Sequence, residues 1–307
     1  MPSIVSEPAA PERAETVCCA WCGAQAGPAA TALAACPDCG TMTTFPVPSP
    51  AELERAYLRY RPAEGRFPAG GDRLLALSRG TLARRLDRIA PPGPVLDVGA
   101  GDGSLLRALR ARGREAVGLE RASSADGVLD REIEEFDERP GEWAAVVFWH
   151  SLEHLPHPAA AVGRAVGLLA PGGVLIIAVP NLSSWQARCF RQRWFHLDLP
   201  RHLVHLPAAA LEEGVRERGL AVDRLSYWRG GQILFGWLHG MAGMLPGHPD
   251  LYSAIRRTEA QERPIGGAPR LALLLCAAAM TPMAALMAIA EIAAHAGGTV
   301  YLEARRR

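Results

Sequence analysis

Through the middle of the chain, short apolar runs alternate with longer stretches whose apolar residues recur every three or four positions. Residues 51–60 carry Leu53, Ala56, Tyr57 and Tyr60 at helical spacing, and residues 74–89 repeat the pattern with arginines on the outer face. Pro91, Pro92 and Pro94 stop that second helix. A short apolar strand begins at Val95, runs into the turn Gly99-Ala100-Gly101-Asp102-Gly103 and leads to a helical segment over 105–112. Further strands are predicted at 116–119, 144–149, 174–179 and 221–228, with helices over 159–169 and 208–218 among them. Strands and helices in alternation imply a mostly parallel sheet, an α/β fold.

Two regions fall outside this pattern. Near the start, Cys19 and Cys22 form one C-x2-C pair and Cys36 and Cys39 another, with thirteen residues between them. That is close to the spacing of four-thiolate zinc sites, and the glycine after each pair, Gly23 and Gly40, lets the backbone turn so that amides face the sulfurs. Four thiolates leave no open position for water, so a Zn2+ held here is structural. Cys18 is one residue out of register and reads as a spectator, while Cys189 and Cys276 read as ordinary buried thiols. Pro46, Pro48 and Pro50 then break regular structure, which predicts a separately tethered ribbon, and the glycine-rich stretch 65–71 reads as a loop.

Near the end, residues 271–290 contain no charge over twenty positions, long enough on length alone to cross a bilayer. Alanine dominates, Pro282 interrupts the middle and Glu291 follows at once, which points to two short helices or one kinked helix. Residues 299–304 read as a strand that a single crossing would leave on the wrong side. The expectation is an insertion over 231–298 that packs on the domain or enters one leaflet as a hairpin, helped by Trp228, Trp237 and the arginines at 305–307. Burial in a homodimer or in the chain's own core is the alternative to this peripheral membrane contact.

Composition narrows the function classes. At 307 residues and 49% hydrophobic content the chain suits roughly two domains with a sizeable core. Its 33 basic and 32 acidic residues balance, so no field of one sign favours nucleic acid, and residues 20–37 offer no arginine to a phosphate. Every basic side chain is arginine, which excludes a Schiff-base lysine and a GK[ST] phosphate loop. Residues 1–15 are Pro- and Ala-rich, read as disordered, and carry no secretory pattern. The expectation is a cytoplasmic protein, associated with the inner face of the membrane if the insertion meets lipid.

The turn after the first strand carries the most specific chemistry. Asp97 precedes it, and Glu120 closes the next strand seventeen positions beyond Gly103, where an acid can accept both ribose hydroxyls of a nucleoside. The third glycine of a dinucleotide G-x-G-x-x-G would fall at Ser104, so the pattern is G-x-G-x-G instead. With Asp97 and Glu120 beside it, this resembles the class I S-adenosylmethionine-dependent methyltransferases more than nicotinamide enzymes. Residues 149–158, with the run Leu152-Glu153-His154 before Pro156, look like the post-strand segment of that family. Leu169-Ala170-Pro171-Gly172-Gly173 looks like its turn into the fifth strand. Pro180-Asn181, Trp194 and residues 198–205 resemble a small-molecule branch that carries a cysteine-rich zinc segment before the catalytic domain.

The resemblance implies a Rossmann-like, doubly wound, seven-stranded sheet over 51–230, after a zinc ribbon at 16–45. The hydrophobic helical insertion at 231–298 then precedes a final strand and basic C-terminus at 299–307, which returns to pair with the sheet. It implies S-adenosylmethionine as cofactor, with Asp97, Gly99, Ala100, Gly101 and Gly103 at the methionyl part and Glu120 on the ribose. Ile133 and Glu134 would lie beside the adenine, and His150 and Ser151 near the methionyl end. Methyl transfer needs an acceptor lone pair aligned with the sulfur–methyl bond and a base for any acceptor proton. Six of the nine histidines fall between His150 and His205. His154, His202 and His205 are the candidate general bases, while Tyr60, Trp194, Asp198 and Arg201 are candidate contacts to a small-molecule acceptor such as a sugar, a quinone-like ring or a lipid-linked envelope precursor. His150 and His154 can share a helical face, but no carboxylate-rich set with metal spacing is evident beside them. A catalytically silent scaffold on the same sheet, or less favourably a nicotinamide-dependent oxidoreductase, are the alternatives.

Overall fold

The computed structural model describes residues 17–29, 32–60, 71–228, 231–256 and 266–307, without the side chains of 59–60 and 71–75. Residues 1–15, expected as a disordered start, and 65–70 of the loop expected over 65–71 lie outside the described residues, while Gly71 begins a helix. Four short strands open the chain, β1 (Val17–Cys18), β2 (Gln25–Pro28), β3 (Leu33–Ala35) and β4 (Met42–Thr44), each antiparallel to the next. Helix α1 (Pro50–Tyr60) follows from a capping box in which the Ser49 amide donates to Glu52 and the Glu52 amide to Ser49 Oγ. Next come α2 (Gly71–Ile89), β5 (Val95–Val98), α3 (Ser104–Arg110), β6 (Ala116–Leu119), β7 (Val128–Leu129) and β8 (Trp143–Trp149). They are followed by α4 (Pro158–Leu168), β9 (Leu169–Pro180), α5 (Trp185–Phe190), β10 (Val204–His205), α6 (Ala208–Glu217) and β11 (Leu220–Ser226). The chain closes with α7 (Gly231–Gly243), α8 (Leu251–Ile255), α9 (Gly267–Ala293) and β12 (Thr299–Arg306).

Seven strands form the main sheet in the order β11-β12-β9-β8-β5-β6-β7. The five from β9 to β7 run parallel, and β12 enters antiparallel between β9 and β11. The central strands read as unbroken apolar runs because both faces are covered. Leu96, Val146, Leu175, Ile177 and Leu302 face α4, α6 and the ribbon, whereas Val95, Ala145, Val147, Ile176 and Tyr301 face α2 and α3. From β5 the chain steps outward through β6 and β7, then returns to β8 on the other side. The strand order therefore reverses between β5 and β8, where an open α/β sheet leaves a crevice at its carboxyl ends.

Two sequence expectations need correction, and a third resolves to one of its alternatives. The ribbon is not separately tethered: β10 pairs with β4, Val204 opposite Thr43 and His205 opposite Met42, and the ribbon shares the main core. Trp21 packs into a notch at Gly214, where an added Cβ would lie 2.6 Å from the indole, and its Nε1 donates to the Ala210 carbonyl at 2.9 Å. The prolines after Thr44 break structure without freeing the ribbon, because its buried indole and its edge strand are already bound. Of the two readings of residues 271–290 the single helix holds: they belong to α9, with Pro282 inside it, and the described residues of the insertion hold three helices. Packing against α7 and α8 compensates for the backbone bond that proline removes. Lastly, Cys189 and Cys276 are exposed, since each falls on the outer face of its helix.

Candidate active site

Each C-x2-C pair forms a knuckle. Gly23 and Gly40, at φ 81° and 71°, donate their amides to the carbonyls of Cys19 and Cys36, turns that a side chain would strain. Cys19 Sγ and Cys39 Sγ lie 3.6 Å apart, Cys22 Sγ and Cys36 Sγ 3.5 Å, and all four sulfurs fall within 4.8 Å of one another. Sulfurs about 2.3 Å from one tetrahedral ion would lie just under 4 Å apart, so the donor set fits a single soft cation. Cys18 is exposed and outside this set.

At the carboxyl end of β5, Gly99, Gly101 and Gly103 adopt φ 80°, 55° and 69°, and each has a different neighbour. A Cβ on Gly99 would strike Ser151 at 2.3 Å, so this glycine lets the loop after β8 close on the turn. Gly101 faces open space, and Gly103 begins α3 against Ala125 and Val128. Ala100 is buried against Gly118. The Gly101 amide donates to Glu120 Oε2 at 3.0 Å and the Arg121 amide to Glu120 Oε1, so turn and acid are joined directly. Burial raises the Glu120 carboxyl, and these amides oppose the shift. Asp97 is buried, and its Oδ1 has no hydrogen-bond partner among the described residues. Burial pushes its carboxyl up to about 7, with Arg79 pulling the other way. An unpaired carboxylate oxygen beneath an open glycine turn, beside a half-exposed acid, suits a ligand with an ammonium group and a ribose. The residues present therefore fit S-adenosylmethionine. Ile133 and Glu134 occupy a single 3-10 turn, where Ile133 packs in the core and Glu134 is half-buried.

Beyond β8 the chain enters a basin of aromatic and histidine rings. His150 leaves the strand at φ 56°, donates from Nε2 to Gln232 Oε1 at 3.1 Å and stacks on His196. Ser151 donates to the Val98 carbonyl, fastening the two loops of the crevice together. His154 Nδ1 lies 2.9 Å from the Arg201 carbonyl, and His202 Nδ1 2.7 Å from the His196 carbonyl. Carbonyls only accept, so both rings carry the proton on Nδ1 and keep Nε2 as the basic nitrogen. Burial lowers both rings, drives His202 well below its ordinary value and takes His205 to about 4. All three are neutral near pH 7, as a base must be. His202 lies between the other two, its ring centroid 4.7 Å from His154 and 6.2 Å from His205.

Glu153 completes this group, although the sequence pattern did not single it out. It is 2% exposed, its Oε1 is 3.5 Å from His150 Nδ1, and Oε2 has no partner among the described residues. A Glu153 oxygen and one nitrogen each of His154 and His202 fall within 4.8 Å of one another. Thus a carboxyl does stand beside these histidines, brought there by the 3-10 turn at Leu152–His154. From α1, the Tyr57 hydroxyl approaches His154 Nδ1 at 3.3 Å and is pushed up to about 12, chiefly by burial. Arg121 and Glu120 act on it from the glycine turn, Arg201 and Asp198 from the opposite wall. The Tyr60 side chain lies outside the described residues. The Arg201 guanidinium is held by the Asp198 carboxylate, so its fork is engaged within the protein. Trp194 is buried, and with Asp198 and His239 it lines a cleft of about 300 Å³.

Several known proteins are similar to parts of this chain. A ubiquinone biosynthesis O-methyltransferase of Methylococcus capsulatus is 30% identical over 103 residues, 29% of this chain and 44% of that protein. One from Xanthomonas campestris pv. campestris is 32% identical over 110 residues, covering 31% and 46%. The chain thus spans a little under half the length of these curated relatives. A solved SAM-dependent methyltransferase from Archaeoglobus fulgidus aligns over 74% of this chain and 94% of its own, at 14% identity and a TM-score of 0.46. The family described as a methyltransferase domain matches residues 72–225, half of the chain, from α2 through β11. With its seven-stranded sheet and glycine turn joined to Glu120, the chain belongs to the methyltransferase domain family.

Proposed function

We propose that this protein transfers a methyl group from S-adenosylmethionine to a hydroxyl of a small-molecule acceptor, with a neutral histidine of the group His154, His202 and His205 receiving the acceptor proton. The observation that carries the proposal is a juxtaposition across the crevice. The turn tied to Glu120 lies at the end of β5, and histidines that keep a basic Nε2 follow β8, with Ser151 packed on Gly99 between them. Glu120 and Asp97 would hold the ribose and the ammonium group, and the bound cofactor supplies an electrophilic methyl on a sulfonium. The protein's own residues do the rest. Trp194 and the buried rings beside it exclude water, and the Arg201 and His196 carbonyls fix which histidine nitrogen is basic. The relatives named for ubiquinone biosynthesis favour a hydroxylated, quinone-like ring as acceptor over a sugar or a lipid-linked envelope precursor. The four cysteine sulfurs hold a structural Zn2+, which orders the ribbon that carries β4.

A calorimetric titration of the zinc-loaded protein with S-adenosylmethionine, S-adenosylhomocysteine and NAD tests the reading. The first two should bind saturably and NAD should not. Glu120→Ala should weaken binding tenfold to a hundredfold, the worth of a hydrogen bond to a charged group at about 1.5–3 kcal/mol. An unchanged affinity in that variant removes Glu120 from the ribose. No binding by folded protein overturns the proposal in favour of a silent scaffold.

A further inference from the structure

Helix α9 has two faces, and neither is polar. Leu273, Ala277, Ala284, Ala288 and Glu291 point into the protein. On the opposite side Leu271, Leu275, Met283, Leu286 and Ile289 are 55–64% exposed, with alanines and Pro282 between them. Glu291, the only charged residue after Arg270 in this helix, is turned inward with 0% exposure. It accepts from Gln186 N, Gln186 Nε2 and Trp237 Nε1. The outer face is therefore uncharged from Leu271 to Ala294.

We propose that this face docks in the plane of a lipid bilayer, its side chains entering one leaflet. A transmembrane orientation conflicts with the anchoring of both ends to the same domain. Arg270 donates to the Ala254 carbonyl of α8 at one end. At the other, the Trp185 amide donates to the Ala296 carbonyl and Asn181 Nδ2 to the Gly297 carbonyl, just before β12 joins the sheet. A second copy of the chain is a poorer occupant than lipid. The strip is roughly 36 Å long and about 10 Å wide, on the order of 350 Å². A stable protein interface needs about 800 Å² per partner and a polar rim. A bilayer needs neither, and it favours an aromatic side chain at the edge of the buried strip. Trp228 supplies one: it is 67% exposed, and Tyr227 beside it stacks on His295 at the end of α9. Helix α7 lies between α9 and the crevice, packed on the first and joined to His150 through Gln232. Docking would bring the acceptor side of the crevice near the lipid surface.

The experiment is co-sedimentation of the full chain with vesicles of phosphatidylcholine and of an equal mixture with phosphatidylglycerol, with a vesicle-free blank. The wild type should pellet with both. A Leu275→Glu/Leu286→Glu variant should lose about tenfold or more in partitioning per leucine. Val47→Glu, at an exposed apolar residue in the segment before α1, should behave as wild type. Circular dichroism melting verifies that the variants remain folded, which outward-facing substitutions on a formed helix permit. Absence of wild-type binding, or equal pelleting of the double variant, overturns the proposal. A dimer seen by light scattering and abolished by the same double substitution also overturns it and assigns the face to a second copy. None of these readouts depends on methyl transfer.

Discussion

Burial raises the Glu153 carboxyl to about 7 while it lowers the rings of His154, His202 and His205 around it, so the basin favours neutral groups of both kinds. A carboxyl raised on folding contributes stability that is fully present below its unfolded value near 4.5 and lost as pH rises through about 7. Glu153→Gln keeps the neutral shape and removes the titration. The variant should therefore gain on the wild type between about pH 4.5 and 7, by on the order of 3 kcal/mol at the top of that range. Denaturant unfolding at several pH values measures the difference. His202 and His205, which lose stability as pH falls below 6.5, act on both proteins alike, whereas His154, lowered chiefly by burial, is pulled upward by the Glu153 charge that the variant removes. A difference independent of pH would show that Glu153 stays ionised in the fold. At this scale Asp97, the glycine turn and Glu120 are legible in the sequence, because a tight turn and a strand-end acid are local features. Glu153 is not, since its chemistry comes from burial beneath residues distant in the chain.

Among the elements, the ribbon acts directly on the histidine segment. Thr44 Oγ1 donates to the His202 carbonyl at 2.6 Å, the Thr44 amide donates to the Leu203 carbonyl, and the Leu203 amide donates to the Glu153 carbonyl. The four-thiolate knuckles thus connect through β4 to the backbone that carries both His202 and Glu153. If the proposed Zn2+ is bound, treating the zinc-loaded protein with a chelator should speed amide exchange at Leu203, Val204 and His205 and lower the unfolding temperature, while β8 and β9 remain protected. Equal protection with and without metal would mean that Trp21 and the ribbon core hold this segment unaided. The cysteine spacing predicted the ribbon well, and α1 to α4, α6 and the longer strands fell within a few residues of their periodic segments, whereas α5 had no counterpart and the insertion was read without its separate helices. β7 and β10 escaped notice because strands of two residues have no period to read.

Over the whole molecule, the insertion is fastened by one buried carboxylate. Replacing Glu291 with Leu would strand the Gln186 amide and Trp237 Nε1 without an acceptor in the core, at a cost of roughly 3 kcal/mol or more, while Gln186 Nε2 keeps the Ile233 carbonyl. Glu291→Gln, which keeps one acceptor oxygen, should cost markedly less. Equal losses in chemical denaturation would show that charge, and not hydrogen bonding, anchors α9. The sequence by itself determined the parallel sheet, the glycine turn with its paired acid, the four thiolates and an apolar insertion before the last strand. Each of these is written in residue type and short spacing. Only the tertiary structure decided that the ribbon fuses to the α/β domain, that Glu153 joins the histidines, and that α9 packs one face on protein and leaves the other bare. Those outcomes depend on burial and on pairings between residues many tens of positions apart, and no local pattern encodes which distant surface a side chain will meet.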